Sequence, residues 1–246
     1  MRNIKLTLQY DGSRYQGWTR LGKGESENTI SNKIIEVIQK MTGEEVELFC
    51  GSRTEVGVHA HGQIANFKTA SALKEYEIKH YLNRYLPMDI AVLNVEEKPE
   101  RFHASLNATS RIYLYRVAVS EVPSVFDRKY TYYSFQKPDV EKMRQAALLL
   151  TGTHDFKDFS TAKKSKSTSK KLSRVEILDT GEEIQITLQA NDFLHNMTRM
   201  LAATLLDVGL GKRKIEEMTG ILDPKDLTVA SAPADPKGLF LQEVIY

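Results

Sequence analysis

The sequence predicts an α+β protein of two similar halves, each a ferredoxin-like βαββαβ unit with a mainly antiparallel sheet. Three observations carry this. Segments with alternating apolar residues are interleaved with segments of helical spacing. The order strand, helix, two strands, helix, strand occurs twice. The polar stretch at residues 101–110, RFHASLNATS, separates the two runs. The expected halves are 1–104 and 105–246, with a cleft between them. They share no obvious sequence, so the repeat is one of pattern only.

The elements follow in order. Residues 3–10 alternate, with Ile4, Leu6 and Leu8 on one face, and Tyr10-Asp11-Gly12 ends the strand with turn chemistry. Ile30, Ile34, Val37, Ile38 and Met41 have helical spacing, with Asn28 or Thr29 as the cap and Gly43 as the stop. Residues 46–49 and 64–68 are short strands around a polar loop. Residues 75–86 form a helix ended by Pro87, and 90–95 a strand. In the second half, 112–119 is a strand with Tyr113, Tyr115, Val117 and Val119 on one face. Residues 140–150 are a helix after Pro138-Asp139, and 174–178 and 183–190 are strands around Gly181. A helix at 194–208 ends at Gly209 and Gly211, and 239–246 is the closing strand.

Composition excludes several classes. At 246 residues the chain can bury a sizeable core. The net charge of +2 is too small to indicate nucleic acid by itself, so only local clustering carries that argument. Cys50 is the only cysteine, which leaves no intrachain disulfide and no cysteine-cluster metal site. No long apolar stretch suggests a signal peptide or a membrane span, and a reducing cytoplasm is the expected compartment.

Residues 50–67, CGSRTEVGVHAHGQIANF, concentrate the chemistry. Arg53, Thr54 and Glu55 set a cation, a hydroxyl and a carboxylate side by side; Gly57, His59, His61, Gly62 and Gln63 follow. The plain alternative is a hairpin loop with one ion pair and structural histidines. A second segment, YDGSRYQGWTR, places Arg14, Tyr15, Trp18 and Arg20 between glycines, a mixture suited to phosphates and stacked bases. It suits equally a loop whose Trp18 plugs the core. A third, residues 161–174, holds Lys163, Lys164, Lys166, Lys170, Lys171 and Arg174 with no acid: a solvated loop or a phosphate-binding arm. Histidines 59, 61, 103, 154 and 195 invite a metal, but no HExxH is present and no metal is expected.

The order of residues adds a resemblance. Ser52-Arg53-Thr54-Glu55-Val56-Gly57-Val58-His59-Ala60-His61-Gly62-Gln63 resembles GRTDAGVHAxGQ, the signature of the TruA-type tRNA pseudouridine synthases. The family has its catalytic aspartate where this chain has Glu55. Phe102-His103-Ala104 with Arg111-Ile112-Tyr113-Leu114-Tyr115 is similar to FHAR…ARRYRY, and Phe193 to Arg199 to FLHHMVR. Ala232-Pro233-Ala234 and Gly238-Leu239-Phe240-Leu241 are similar to TAPA.GL.L. The resemblance covers nearly the whole chain.

It implies that the two sheets merge into one and that uridine in the anticodon stem-loop of tRNA becomes pseudouridine. The implied catalytic set is Glu55, Arg53, Tyr113 and Arg199. A carboxylate is needed as nucleophile or base near C1′, an arginine keeps it ionised, and an aromatic ring holds the flipped base. Substrate contacts are expected from Arg14, Trp18, Arg20, His59, Gln63, Arg111, Lys163, Lys164, Lys166, Lys170 and Lys171. The reaction needs no cofactor, and the chain has no Walker A or dinucleotide fingerprint. A homodimer that binds tRNA is expected. The alternative is a related RNA-binding protein without catalysis.

Overall fold

A computed structural model describes residues 1–19, 26–161, 167–223 and 228–246. The chain divides into two compact units. Unit 1 is Met1–Thr109 with Phe240–Tyr246, and unit 2 is Ser110–Leu239. The sequence pattern groups the last strand with the second half. In the structure Phe240–Tyr246 groups with unit 1, because Phe240 and Leu241 pair in parallel with His59 and Ala60.

Unit 1 runs β1 (Arg2–Tyr10), α1 (Ile30–Thr42), β2 (Phe49–Cys50), β3 (His59–Thr69), α2 (Glu75–Tyr85) and β4 (Ile90–Lys98). β1 is the central strand, antiparallel to β4 on one side and to β3 on the other. The far edge of β3 is shared, with β2 opposite Ala65 and Asn66 and the returning chain opposite His59 and Ala60. Ile4, Leu6 and Leu8 of β1 are fully buried, as are Ile34 and Ile38 of α1 and Ile78 and Leu82 of α2. Each such side chain contributes about 1.5–3 kcal/mol by leaving water. The helix ends follow their caps. Thr29 accepts a hydrogen bond from the Asn32 amide, and Gly43 takes the left-handed conformation (φ 73°) that closes α1.

Unit 2 runs β5 (Ser110–Ala118), β6 (Tyr132–Tyr133), α3 (Val140–Leu150), β7 (Gly152–Asp155), β8 (Ser169–Asp179), β9 (Glu183–Ala190), α4 (Met197–Gly209) and α5 (Glu217–Leu222); β10 (Leu239–Ile245) then carries the chain back. Its strand order is β5-β9-β8-β7, antiparallel throughout, with β6 parallel to β5. Tyr113, Tyr115 and Val117 stand opposite Leu188, Ile186 and Ile184, all buried. Gly209 at the end of α4 lets α3 approach: a Cβ there would meet Met143 Cγ at 2.7 Å.

The α+β class and the mainly antiparallel pairing are as the sequence predicts. Four details differ. β2 holds only Phe49 and Cys50, the residues that pair with β3, although Val46 and Leu48 alternate with Glu45 and Glu47, and β3 starts at His59, five residues earlier than expected. Part of the basic segment is strand: Ser169–Asp179 pairs with β7 and β9, although its start, SKKLSR, has little apolar alternation. β6, β7 and α5 are too short for periodicity to register. Among the described residues no helix is long and apolar enough to cross a membrane.

Candidate functional site

The loop between β2 and β3 is tied down on both flanks of Glu55. At Ser52, the Gln63 side chain takes both backbone groups: its Nε2 donates to the Ser52 carbonyl (2.6 Å) and its Oε1 accepts the Ser52 amide (3.3 Å). At Thr54, the hydroxyl bonds the Tyr10 hydroxyl at 2.7 Å, and the carbonyl accepts the Trp18 amide at 2.9 Å. After Glu55 the chain turns at once. The Val58 amide donates to the Glu55 carbonyl (3.1 Å), with Gly57 at φ 76°, which is the type II turn that demands glycine in its third position. Between these ties Arg53 is exposed, and Glu55 is half-buried at the surface.

A neighbouring loop, residues 11–18, presses backbone to backbone against this one. A Cβ on Gly12 would lie 2.0 Å from the Val58 carbonyl oxygen, and one on Gly17 would lie 2.9 Å from that of Thr54. Asp89 anchors the loop from the start of β4. It accepts the Tyr15 hydroxyl at 2.5 Å and the Arg14 Nε at 2.9 Å, and Arg14 Nη2 closes a second bond to it. Burial and the bond to Asp89 hold the Tyr15 phenol well above its usual pKa, so it stays a proton donor. Arg14's own hydrogen bonds to Asp89 raise its guanidinium pKa in turn. Trp18 is 2% exposed and packs near Tyr10, ring centroids 6.1 Å apart. Its faces are covered, so it plugs the core and fixes Thr54 rather than offering a stacking platform.

Two expected substrate contacts lie inside the protein. Gln63 is 0% exposed, and all four hydrogen-bonding positions of its amide are used: the Ser52 carbonyl, the Tyr10 hydroxyl (3.3 Å), and the Ser52 and Ile64 amides. His59 is 1% exposed, stacks on Phe240 at 4.7 Å, and takes the Gly12 amide on Nδ1 with Asp11 Oδ1 at 3.2 Å. Both shape the loops from behind. His61 is exposed and bonds Gln242 at 3.1 Å. Tyr10 and Asp89 are absent from the site that the sequence predicts, and Thr54 enters it only as a hydroxyl beside Glu55 with no role assigned. Tyr10 carries a readable signal, since its parity with Ile4, Leu6 and Leu8 places it on the buried face, where a phenol needs a partner.

In unit 2, Tyr113 is 4% exposed and meets Phe193 edge-on at 5.3 Å. Arg199 is half-buried near the start of α4; its Nε donates to the Ala234 carbonyl (2.6 Å) and its Nη1 to Asn196 Oδ1 (3.0 Å). Asn196 sits at φ 62°, the only described non-glycine residue with positive φ, directly before that helix. Arg111 is buried, with Nη1 on the Asn191 carbonyl at 2.6 Å and Nε 3.9 Å from Asp192. Lys170 bonds Asp192 at 3.0 Å, and Arg174 pairs with Glu176, so part of the basic segment is neutralised by acids outside it. Lys171 is exposed. Arg20, Lys163, Lys164 and Lys166 lie outside the described residues. Among the described residues no three His, Cys, Asp or Glu side chains are grouped to hold a metal.

A family model described as "tRNA pseudouridine synthase" matches residues 7–107 and 146–246. A "tRNA pseudouridine synthase A 2" from Bacillus anthracis is 43% identical over 245 residues, 99% of each chain. A "tRNA pseudouridine synthase A" from Bacillus sp. (strain KSM-64) is 42% identical over 247 residues, the full length of both. A "tRNA pseudouridine synthase A 2" from Clostridium perfringens is 41% identical, also over both full lengths. One solved structure, titled "Crystal Structure of a Cbf5-Nop10-Gar1 Complex", aligns with 97% of this chain and 48% of that one at a TM-score of 0.37 and 10% identity. That likeness is too distant to carry an argument.

Proposed function

The chain belongs to the tRNA pseudouridine synthase family, and from that premise we propose that it isomerises uridine in the anticodon stem-loop of tRNA through Glu55. The observation that supports this most is the tethering of the loop around Glu55: buried hydrogen bonds hold its neighbours, and Glu55 itself is half-buried between them. A site built for chemistry needs such pre-organisation, and a plain hairpin does not.

The reaction breaks the N1–C1′ bond, turns the base, and joins C5 to C1′. C5 then loses a proton and N1 gains one, so nothing is consumed and no cofactor enters. Glu55 serves as nucleophile at the sugar or as base beside it. Arg53 and Arg199 are proposed to keep the carboxylate ionised, and Tyr113 to support the flipped base. Arg14, Lys171 and the lysines at 163, 164 and 166 are proposed to meet RNA phosphates, with Lys170 released from or shared with Asp192, and the buried Arg111 to brace the turn at Asn191 rather than to touch RNA. His59, Gln63 and Trp18 are assigned to holding the loops. A metal-free homodimer in the cytoplasm completes the proposal.

The test is incubation of the purified chain with a tRNA pool, followed by mapping of pseudouridine. Pseudouridine on the 3′ side of the anticodon stem-loop is the expected result, and its absence there refutes the reading. Light scattering that gives a monomer at micromolar concentration refutes the dimer.

A further inference from the structure

We infer that Tyr10 is a positioning residue for the reaction, a side chain that ties together the two clamps on the Glu55 loop. This rests on the reading of Glu55 as the reactive carboxylate. The Tyr10 hydroxyl touches Thr54 Oγ1 at 2.7 Å and Gln63 Nε2 at 3.3 Å. Thr54 is the residue before Glu55, and Gln63 grips Ser52, three residues before it. One hydroxyl therefore joins the two clamps that fix the chain entering Glu55.

The network is buried, and the orientation of the Gln63 amide is fixed. Tyr10 is 4% exposed, Thr54 5% and Gln63 0%. Two backbone amides, of Ser52 and Ile64, face Gln63 Oε1, so the amide nitrogen must point at the Ser52 carbonyl and the Tyr10 oxygen. The tyrosine accepts from Gln63 and shares a hydrogen bond with Thr54 in which either hydroxyl can donate. Removing that oxygen leaves a buried amide N–H and a buried threonine hydroxyl short of a partner, and they relax by moving. What moves is the backbone at Ser52 and Thr54, and Glu55 with it. Tyr10 does not touch substrate in this scheme, and its hydroxyl is spent on the protein itself.

The experiment uses Tyr10→Phe, Thr54→Val, Thr54→Ser and the Tyr10→Phe/Thr54→Val double variant. Two readouts are taken on each: amide hydrogen exchange across residues 52–58, and kcat and KM with tRNA. Tyr10→Phe is expected to speed exchange in the loop and to lower kcat about 10- to 100-fold, with KM within about twofold, because a misplacement of about 1 Å is enough for such a loss. Thr54→Val should match it, Thr54→Ser should restore most of kcat, and the double variant should be no worse than the worse single. Unchanged exchange and kcat in Tyr10→Phe overturns the inference, as does a loss confined to KM. Should Tyr10→Phe fail to fold, the valine and serine variants decide alone. If the unaltered chain forms no pseudouridine, the catalytic reading fails, and faster or unchanged exchange still decides whether Tyr10 holds the loop.

Discussion

Replacing Gly12 by alanine tests whether the close approach of the two loops governs the site. The new Cβ would lie 2.0 Å from the Val58 carbonyl oxygen, where side-chain carbons do not come closer than 3.0 Å. The backbones must therefore part by about 1 Å, and both are main chain, so no flexible side chain absorbs the shift. Val58 closes the turn that begins at Glu55, so the carboxylate moves with it. A displacement of about 1 Å at a reacting group lowers rate on the order of 10²-fold. Overpacking of this kind also costs about 1–3 kcal/mol of stability. Gly43→Ala is the control: it meets nothing within 4 Å and carries only the strain of its positive φ. Thermal melting and single-turnover pseudouridine formation are measured on both. A Gly12→Ala protein that melts and turns over like the unaltered chain would refute the reasoning.

Glu55→Ala should abolish turnover and leave tRNA binding within about twofold, since most of the binding to RNA is to its backbone elsewhere. Glu55→Asp retracts the carboxylate by one methylene, and the direction of its rate change reports where the reacting carbon sits; equal, zero activity in all three forms would leave an RNA-binding relative without chemistry. Replacing Lys163, Lys164, Lys166 and Lys171 by alanine should weaken tRNA binding and flatten its salt dependence, because each phosphate that is no longer neutralised takes about 0.7–0.9 off the log–log slope; an unchanged slope would make that segment a bystander. Adding Lys170→Ala to that set should change the slope less than any other single lysine, as its charge is already shared with Asp192.

The fold is legible where periodicity is long. β1, α1, α2, β5, α3 and β9 lie where alternation, helical spacing and caps place them, and Thr29, Gly43 and Asp139 do the capping that their types suggest. It is illegible where pairing overrides composition. The polar run at Ser169 is strand because β7 and β9 flank it, and no local pattern reports a neighbour far away in sequence. Of the site, the sequence shows which residues carry chemistry but not which way they face. Gln63, His59 and Trp18 read as ligand-binding residues from their types, yet burial turns them into supports for the loop. The clamp by Asp89 joins residues 14 and 89, and a partner that distant leaves no trace in spacing.

The return of Phe240–Tyr246 to unit 1 sets an order of events during synthesis. Tyr246 donates to the Ala104 carbonyl at 2.8 Å, its ring lies 5.1 Å from Phe102, and the Thr109 amide bonds the Ile245 carbonyl at 2.7 Å. Those partners leave the ribosome first and must wait for the whole of Ser110–Leu239. At about 5–20 residues per second that delay is roughly 7–26 s, far longer than a domain of this size needs to fold. During the wait the far edge of β3 at His59 and Ala60 is without its final partner. The nascent protein therefore carries an open strand edge at the root of the Glu55 loop, a natural foothold for a chaperone and the place where premature aggregation would begin.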